Sequence, residues 1–170
     1  KPYTAPIEVD GPYSGRGNDD EWGKRHASIL QRIMSADFSA IPEHYDRACH
    51  LSVPGGQELH GWDDADAFWI GLRSAFPSAT FSIEHQIGRT DPQLSPRSAI
   101  RWSLTGQHNG QGRYGPPTGA EVHVMGVTHA EFGPRGLRRE VTLFDDVAIW
   151  TQILTQTETG RPDPIHEHND

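Results

Sequence analysis

The stretch GQHNGQGRYGPPTG, residues 106–119, is the densest grouping of residue types that could bind a phosphate or a metal ion in this 170-residue chain. Five glycines and two adjacent prolines surround a single histidine, His108. A phosphate-binding glycine loop follows a strand and opens directly into a helix, whereas strand-like apolar segments flank this stretch on both sides. A metal site would need further ligands at set spacings. We therefore predict a wide connection between two strands, with a structural role for His108.

The other residue types that carry chemistry are few or scattered. The ten histidines form no pair at the i, i+4 spacing of a helix, and His166 and His168 lie in a polar tail. Cys49 is the only cysteine, so neither an intrachain disulfide nor a thiolate cluster is available, and a buried small residue is the simplest interpretation. Asp145 and Asp146 form an acidic pair, but helix capping explains Asp145 without chemistry. We expect no metal and no cofactor.

Charge and hydropathy argue against two classes of partner. Lys and Arg total 15 against 23 Asp and Glu, and the formal net charge of −8 would repel nucleic-acid phosphates. The densest basic cluster, Arg135, Arg138 and Arg139, has Glu140 beside it and is interpreted as a solvated turn. No segment approaches the roughly 18 apolar residues of a membrane span, and no basic-then-apolar leader is visible. We expect no nucleic-acid partner, no membrane partner and a cytoplasmic location.

Helical periodicity marks the first part of the chain. From Glu21, side chains recur at spacings of three and four, which is typical of one face of an amphipathic helix, and Asn18 or Asp19 could cap it. Residues 39–48 predict a short second helix with Ser39 as its N-cap. The face of the first helix consists of Trp22, His26, Ile29, Ile33 and Met34.

Two further helices are predicted. Residues 62–76 have a wide apolar face, with acidic residues in the first turn, where the helix dipole favours negative charge. A short closing helix is predicted over 145–154, with Asp145 as its N-cap. The apolar face of the third helix consists of Ala65, Phe68, Trp69, Leu72, Ala75 and Phe76.

After Pro77 the hydrophobic period changes from about 3.6 to 2, the spacing of strands. Strands are predicted over 121–132 and 139–144, joined as a hairpin by the turn at 133–136, and an earlier strand is predicted over 49–53. Two more strands are indicated by alternating apolar residues, which are Phe81, Ile83 and Ile87 in one and Ile100, Trp102 and Leu104 in the other.

Helices that precede a run of strands predict an α+β domain, with the helices packed on one face of a curved sheet. A single domain is expected over 21–154, preceded by an extended arm at 1–20 and followed by a tail at 155–170.

Four segments resemble, in order and spacing, the SnoaL-like polyketide cyclase family. GQHNG and GPPTG, in 106–119, are similar to its G-x-H-x-G and G-x-P-P-T-G signature. GWDDADAFWIGLRSAFP, VHVMGVTHAEFGPRGLRREV and LFDDVAIWTQIL are similar to its third helix, penultimate hairpin and closing helix. Each segment alone is weak, but four in register make the resemblance fairly specific. It covers roughly residues 21–154.

The resemblance implies a nuclear transport factor 2-like fold, a cone-shaped, curved antiparallel sheet wrapped around N-terminal helices with a pocket at its mouth. It also implies ring closure of a polyketide ester by intramolecular aldol condensation, without metal, nucleotide or covalent intermediate. That chemistry requires a carboxylate base and donors for the developing enolate. Related proteins commonly pair through the outer sheet face, which here carries Arg101, His123 and Met125, so a homodimer is expected.

The resemblance also assigns candidate catalytic residues. The family's base is an aspartate three residues before the aspartate that begins the closing helix, which is Thr142 when counted back from Asp145. A threonine hydroxyl cannot act as a base near neutral pH without help. Glu140 has the same strand parity and could replace it, although a solvated role is also open. His50 lies near a position that contacts the ligand in the family, although hydrogen bonds to the backbone could instead account for this histidine. Thr128 lies near the position of a family histidine.

The pocket is expected to bind a small hydrophobic organic ligand. Two functions remain open: cyclase- or isomerase-like proton transfer with Glu140, His50 and Thr142 as catalytic residues, or a non-catalytic ligand-binding or dimerisation module. They differ in whether a carboxylate or histidine projects into the cavity beside Thr142. The residues expected to contact the substrate are Phe68, Trp69, Leu72, Trp102, Thr128 and Ile33.

Overall fold

The computed structural model describes residues 17–158, which contain four helices and six strands. The helices are α1 (Glu21–Met34), α2 (Ala40–His44), α3 (Gly61–Ala75) and α4 (Asp146–Glu158). The strands are β1 (Tyr45–Val53), β2 (Gln57–His60), β3 (Thr80–Arg89), β4 (Arg97–Gln107), β5 (Glu121–Gly133) and β6 (Gly136–Phe144).

The helix α1 begins where the sequence predicts, but a different residue caps it. Asp20 accepts the backbone N–H of Trp22 at 2.9 Å, whereas Asn18 or Asp19 was expected. Asn18 is occupied elsewhere, because its side-chain amide exchanges two hydrogen bonds with the backbone of Gly88 on β3. The predicted arm therefore ends in contact with the sheet. Residues 1–16 lie outside the described part of the chain.

The predicted second helix, 39–48, is half as long as expected. The helix α2 ends at His44 and β1 begins at Tyr45, whose side chain is buried, and from Cys49 onward buried residues alternate with strand spacing. Ser39 makes no capping hydrogen bond and donates to Asp37 instead. The strand β2 was not predicted, since it is short, lies at the sheet edge and has no buried side chain that would produce alternation.

The later elements follow the prediction closely. The helix α3 is shifted by one residue from 62–76, and β5 and β6 form the expected hairpin. Asp145 caps α4 by accepting the backbone N–H of Ala148 at 3.0 Å. This helix continues to Glu158, past the predicted end at 154, and the two tail histidines noted in the sequence lie outside the described residues.

All six strands belong to one curved, unclosed sheet with the order β2-β1-β6-β5-β4-β3. Every neighbouring pair is antiparallel except β1 and β6, which run parallel. The predicted α+β fold is confirmed, and the parallel pair modifies the expected all-antiparallel sheet. The parallel pair arises because β2 and α3 lead the chain away from β1, and the chain returns to the other side of β1 only with the last strand, β6.

The helices α1 and α3 cover one face of this sheet, which we term the inner face. As predicted, Phe68, Trp69 and Leu72 of α3 are buried there, and the Phe68 ring lies 6.3 Å from that of Phe144 on β6. None of the helices in 17–158 is long and apolar enough to cross a membrane.

Gly126 on β5 makes room for the ring of Trp102, its partner on β4. A Cβ atom at this position would lie 2.1 Å from Cζ2 of the indole. We expect Gly126→Ala to lower the free energy of unfolding by about 1–3 kcal/mol through overpacking. Gly71→Ala, in α3 where an added Cβ meets no atom within 4 Å, should raise it by up to about 1 kcal/mol. Urea unfolding of both variants tests this, and an unchanged Gly126→Ala midpoint would contradict it.

Candidate functional site

Buried polar side chains converge on the inner face of the sheet. Glu140 and Thr142 of β6 are each 1% exposed and share this face, because residues two apart on a strand point the same way. Ala130 and Thr128 of β5 lie opposite them in the register. A carboxylate therefore lies inside the domain beside Thr142.

Two side chains from distant elements satisfy the carboxylate of Glu140. The Tyr45 hydroxyl, at the start of β1, lies 2.9 Å from Oε1 and 2.8 Å from Oε2 and donates its proton to them. His26, on the buried stripe of α1, brings Nε2 to 3.3 Å from Oε2. The three residues are between 0 and 2% exposed. Burying a charged group without donors is costly, so Tyr45 and His26 are what make this position tolerable for Glu140.

The hydrogen-bond network constrains the tautomer of His26. An ionised carboxylate can only accept, so Nε2 carries the proton in a hydrogen bond to ionised Glu140. The other ring nitrogen, Nδ1, lies 2.8 Å from the hydroxyl of Ser98 on β4, and in a neutral imidazole with its proton on Nε2 it accepts from that hydroxyl. Ser98, His26, Glu140 and Tyr45 thus form one continuous buried chain of hydrogen bonds, which we term the Glu140 cluster.

Burial sets the protonation state of the tyrosine in this cluster. The pKa of Tyr45 is raised well above its ordinary value, mainly by burial and further by the charge of Glu140 and its hydrogen bond. The hydroxyl therefore stays protonated near neutral pH and remains available as a donor.

Thr142 belongs to a second buried group on the same face. Its hydroxyl lies 3.1 Å from that of Thr128, which accepts the indole N–H of Trp102 at 2.9 Å. No carboxylate belongs to this group within residues 17–158, and the inward-facing carboxylate on the same strand is Glu140.

The six residues expected to contact a substrate are all in the interior. Each is at most 7% exposed: Phe68, Trp69, Leu72, Trp102, Thr128 and Ile33. Aromatic rings dominate this region, since Phe68 lies 4.9 Å from Trp69, and Phe144 lies 6.1 Å from Trp102. The structure brings Glu140 and Thr142 to the same inner face as these rings.

One residue of the Glu140 cluster, Tyr45, also lines a surface cavity. A cavity of about 490 Å³ between α2 and β1 is lined by Tyr45 and Trp62. Among the five cavities described on residues 17–158, none is lined by Glu140, His26 or Ser98. Tyr45 is therefore the residue that connects the buried carboxylate with a cavity.

The glycine-rich stretch is the wide strand connection that the sequence predicts, and it packs along α3. The backbone N–H of Gly110 donates to Ala75 at 3.2 Å, and that of Arg113 donates to Gly71 at 2.8 Å. A Cβ atom on Gly110 would lie 1.9 Å from the carbonyl oxygen of Ser74. The glycines thus allow close backbone approach. His108 is buried, and its Nδ1 lies 2.9 Å from the Thr118 hydroxyl, consistent with a structural role.

The same stretch anchors the start of α4. Arg113 binds Asp146 through two hydrogen bonds of 3.1 and 2.7 Å, and the Tyr114 hydroxyl donates to the same carboxylate at 2.6 Å. Burial acts to raise the pKa of Asp146, but the hydrogen bonds from Arg113 and Tyr114 outweigh it and leave the pKa below its ordinary value. Asp146 is therefore an anchor for the connection.

Replacing Asp146 by Asn should lower the free energy of unfolding near pH 7 by about 1 kcal/mol, because Arg113 loses its charged partner. The folded-state pKa is the lower one, so this stabilisation is present above about pH 4 and is lost as pH falls through the folded pKa. In urea unfolding, the difference in the free energy of unfolding between wild type and Asp146→Asn should be smaller near pH 3 than near pH 7. Asp19→Asn, at an exposed carboxyl, is the control, and a pH-independent difference would contradict the prediction.

The structure does not bring His50 to the Glu140 cluster. In the β1–β6 register, Leu51 lies opposite the inward-facing Glu140, whereas His50 lies opposite the exposed Arg139. His50 stacks on His60 and pairs with Glu58 on the outer side. Cys49 is fully buried, as expected, and burial raises the pKa of its thiol to about 11, so the thiolate nucleophile is scarce near neutral pH.

Three members of the cluster were not identified from the sequence. His26 was counted in the apolar face of α1, and a histidine on an otherwise apolar stripe is the signal that could have marked it. Tyr45 was assigned to the second helix. Ser98 is two residues before Ile100 and shares its face, but a lone serine at a strand start carries no chemical signal of its own.

Comparison with known proteins identifies the family. The SnoaL-like domain family matches residues 27–140, about two thirds of the chain. No curated protein is similar enough in sequence to match.

Solved structures similar to this fold include proteins of differing proposed activity. A proposed SnoaL-like polyketide cyclase from Jannaschia sp. CCS1 has a TM-score of 0.65 and 18% identity, covering 85% of this chain and 99% of its own. IdmH, a proposed polyketide cyclase from Streptomyces antibioticus, has a TM-score of 0.60 and 17% identity, with 78% and 98% covered. AclR, a proposed hydroxylase from Streptomyces galilaeus, has a TM-score of 0.58 and 20% identity, with 82% and 87% covered. At these identities the likeness establishes the fold.

Proposed function

The chain belongs to the SnoaL-like domain family, and from this premise we propose that it catalyses cyclase- or isomerase-like proton transfer on a small hydrophobic carbonyl compound. The observation that carries the proposal is the buried carboxylate of Glu140, held by Tyr45 and His26 on the inner face. If Glu140 served only in a structural ion pair, its carboxylate would not need to lie on the same face of the sheet as the aromatic rings of the interior.

The proposed reaction begins with removal of a proton from the carbon next to a carbonyl group. The Glu140 carboxylate takes the proton, and the C–H electron pair forms an enolate whose charge lies on the carbonyl oxygen. Once protonated, Glu140 needs fewer donors, so the Tyr45 hydroxyl can turn to that oxygen. The enolate carbon then attacks a second carbonyl of the same molecule, and Glu140 returns its proton to the new alkoxide. In an isomerase, Glu140 returns the proton to another carbon.

The ligand is proposed to enter through the cavity beside Trp62. Tyr45 lines this cavity and also binds Glu140, so a rotation of its side chain would join the two. Such a motion resembles the gating steps by which many enzymes admit substrate.

The test of the proposed function is a screen for exchange of carbon-bound hydrogen. Neutral ketones such as acetophenone and 2-acetylnaphthalene are incubated with the protein in D₂O, and deuterium uptake at the carbon next to the carbonyl is followed by NMR. We expect uptake that is first order in protein concentration. Uptake no faster than in heat-denatured protein, for every ketone tried, would count against the enzyme.

A second candidate function is a non-catalytic ligand-binding module. It is favoured by Thr142 at the family's base position and by the absence of Glu140 from the lining of any cavity described on residues 17–158. Ketone binding without exchange would identify this function. The expected cytoplasmic location stays a prediction under either candidate.

We propose that the chain forms a homodimer through the outer face of the sheet. Met125 and Leu143 are 71% and 62% exposed there, beside a cavity of about 520 Å³ that Arg101 and His123 also line. We expect a dimer that buries more than about 1,000 Å² in total, the usual minimum for a stable interface. Sedimentation at micromolar concentration should show it, and Met125→Lys with Leu143→Lys should dissociate it. Leu94→Lys, at an exposed loop residue, is the control, and a monomeric wild type would refute the dimer.

A further inference from the structure

Two surface cavities adjoin where the turn between β5 and β6 lies beside the start of β1. The first is the cavity of about 490 Å³ beside Trp62, and the second has a volume of about 520 Å³. Asp46, Ala48 and Arg135 line both of them. Because three residues belong to both cavities, the two form one continuous depression, which we term the arginine groove.

The groove is named for the four arginines that line it. They are Arg47, Arg135, Arg138 and Arg139. The sequence places three of these together and predicts a solvated turn, whereas the fold adds Arg47 from β1, far away along the chain. Like charges repel one another, so gathering guanidinium groups in one depression is unfavourable unless negative charge offsets them.

Three carboxylates also line the groove, and each of them is already paired with an arginine. The nitrogen–oxygen distances are 2.8 Å for Glu43 with Arg32, 3.8 Å for Asp46 with Arg135, and 2.9 Å for Glu131 with Nε of Arg138. Arg32 lies outside the groove, so the charge of Glu43 is used elsewhere. The carboxylates of the groove therefore do not offset all four arginines.

Arg47 and Arg139 have no carboxylate at ion-pair distance within residues 17–158. Glu58 attracts Arg139 from a greater distance, but its carboxylate is already bound by His50 and Ser52. The formal net charge of the chain is −8, so carboxylates are plentiful, yet none pairs with these two side chains. The groove thus presents two unpaired positive charges.

A phosphate ester has the chemistry that this groove lacks. A guanidinium group binds phosphate through two parallel hydrogen bonds, and a phosphate monoester carries a charge of about −1.5 to −2 near neutral pH, enough for two arginines. The guanidinium of Arg47 lies 5.5 Å from the ring centre of Trp62. An apolar group next to the phosphate could therefore pack on this indole.

We infer that the arginine groove binds a small organic phosphate. The phosphate lies at Arg135, where the two cavities adjoin, between the charges of Arg47 on one side and Arg139 on the other, and the apolar group of the ligand packs on Trp62. This site is separate from the proposed function, because the groove is not lined by Glu140 and binding needs no proton transfer.

Three probes separate the phosphate from the apolar group. They are 2-naphthyl phosphate, 2-naphthol and inorganic phosphate, and titration calorimetry measures the affinity of each for the wild-type protein. We expect 2-naphthyl phosphate to bind at least about tenfold more tightly than 2-naphthol, as two exposed charge pairs would provide, and more tightly than inorganic phosphate. Its affinity should fall when the salt concentration rises from about 0.05 M to about 0.5 M, because salt screens exposed charges.

Substitution of the unpaired arginines locates the site. Arg47→Gln and Arg139→Gln should each weaken 2-naphthyl phosphate binding about threefold, and the double variant about tenfold. Arg89→Gln removes the same charge from an exposed arginine of β3 that pairs with Asp91, and it should leave the affinity unchanged. Equal affinity for 2-naphthyl phosphate and 2-naphthol, full affinity in the double variant, or an equal loss in Arg89→Gln would overturn the inference.

Discussion

Glutamine in place of Glu140 should slow the exchange of ketone hydrogens by about a hundredfold or more, the scale usual for a general base. Glutamine keeps the shape of the side chain and can still accept a hydrogen bond from Tyr45. It cannot take up a proton from carbon. The comparison is made by deuterium uptake under the conditions of the ketone screen, with circular dichroism used to verify that the variant is folded.

The outer-face residue His50 supplies the matched control. It pairs with Glu58 away from the Glu140 cluster, so His50→Ala should keep the full exchange rate. Thr142→Val should reduce the rate only modestly, because the hydroxyl bonds to Thr128 and not to the base. Full activity of Glu140→Gln, or loss of activity in His50→Ala, would contradict the proposed mechanism.

Phenylalanine in place of Tyr45 should lower the free energy of unfolding by about 2–3 kcal/mol, because a buried carboxylate then loses a donor. Urea unfolding near neutral pH measures the effect. Tyr114→Phe is the matched control, since it removes the same hydroxyl from Asp146, whose side chain is 28% exposed. Water can replace that donor, so the cost should be about 1 kcal/mol or less.

A double variant separates the loss of the hydrogen bond from the loss of packing. In Tyr45→Phe with Glu140→Leu, the carboxylate that needs the donor is gone, so the two costs should not add. Replacing a buried ionic group by an apolar side chain of similar size is often neutral or stabilising. We expect the double variant to be at least as stable as Tyr45→Phe alone. Simple additivity of two large losses would show that Tyr45 does not stabilise the Glu140 carboxylate.

The sequence predicts those elements whose burial pattern is regular. The faces of α1 and α3 repeat at helical spacing, and β5 alternates along its whole length, so all three are where their patterns indicate. The start of β1 was assigned to a helix because its inward residues Tyr45 and Cys49 are separated by an irregular segment. Its register with β6 shifts between Tyr45 and His50. The parallel pairing of β1 with β6 is a long-range contact that no local pattern encodes.

Of the four residues in the Glu140 cluster, only Glu140 could be predicted, for a reason that strand geometry makes clear. Glu140 can be predicted from the position of Thr142, because residues two apart on a strand share a face. His50 faces outward because its neighbour Leu51 faces inward. The partners of Glu140 are 114 and 95 residues away along the chain, in His26 and Tyr45. Only the packing of α1 and β1 on the sheet brings them together, and no spacing rule relates such distant positions.

The central claim is that the enolisable carbon of a ligand reaches the buried carboxylate of Glu140, while the carbonyl oxygen of the same ligand reaches the Tyr45 hydroxyl. A crystal structure of the protein with 2-acetylnaphthalene tests it most directly. We predict ligand density on the inner face, with the carbonyl oxygen at hydrogen-bond distance from the Tyr45 hydroxyl, about 2.6–3.2 Å, and the methyl carbon next to Glu140. Density only on the outer face of the sheet, with the bonds from Tyr45 and His26 to Glu140 unchanged, would contradict the claim.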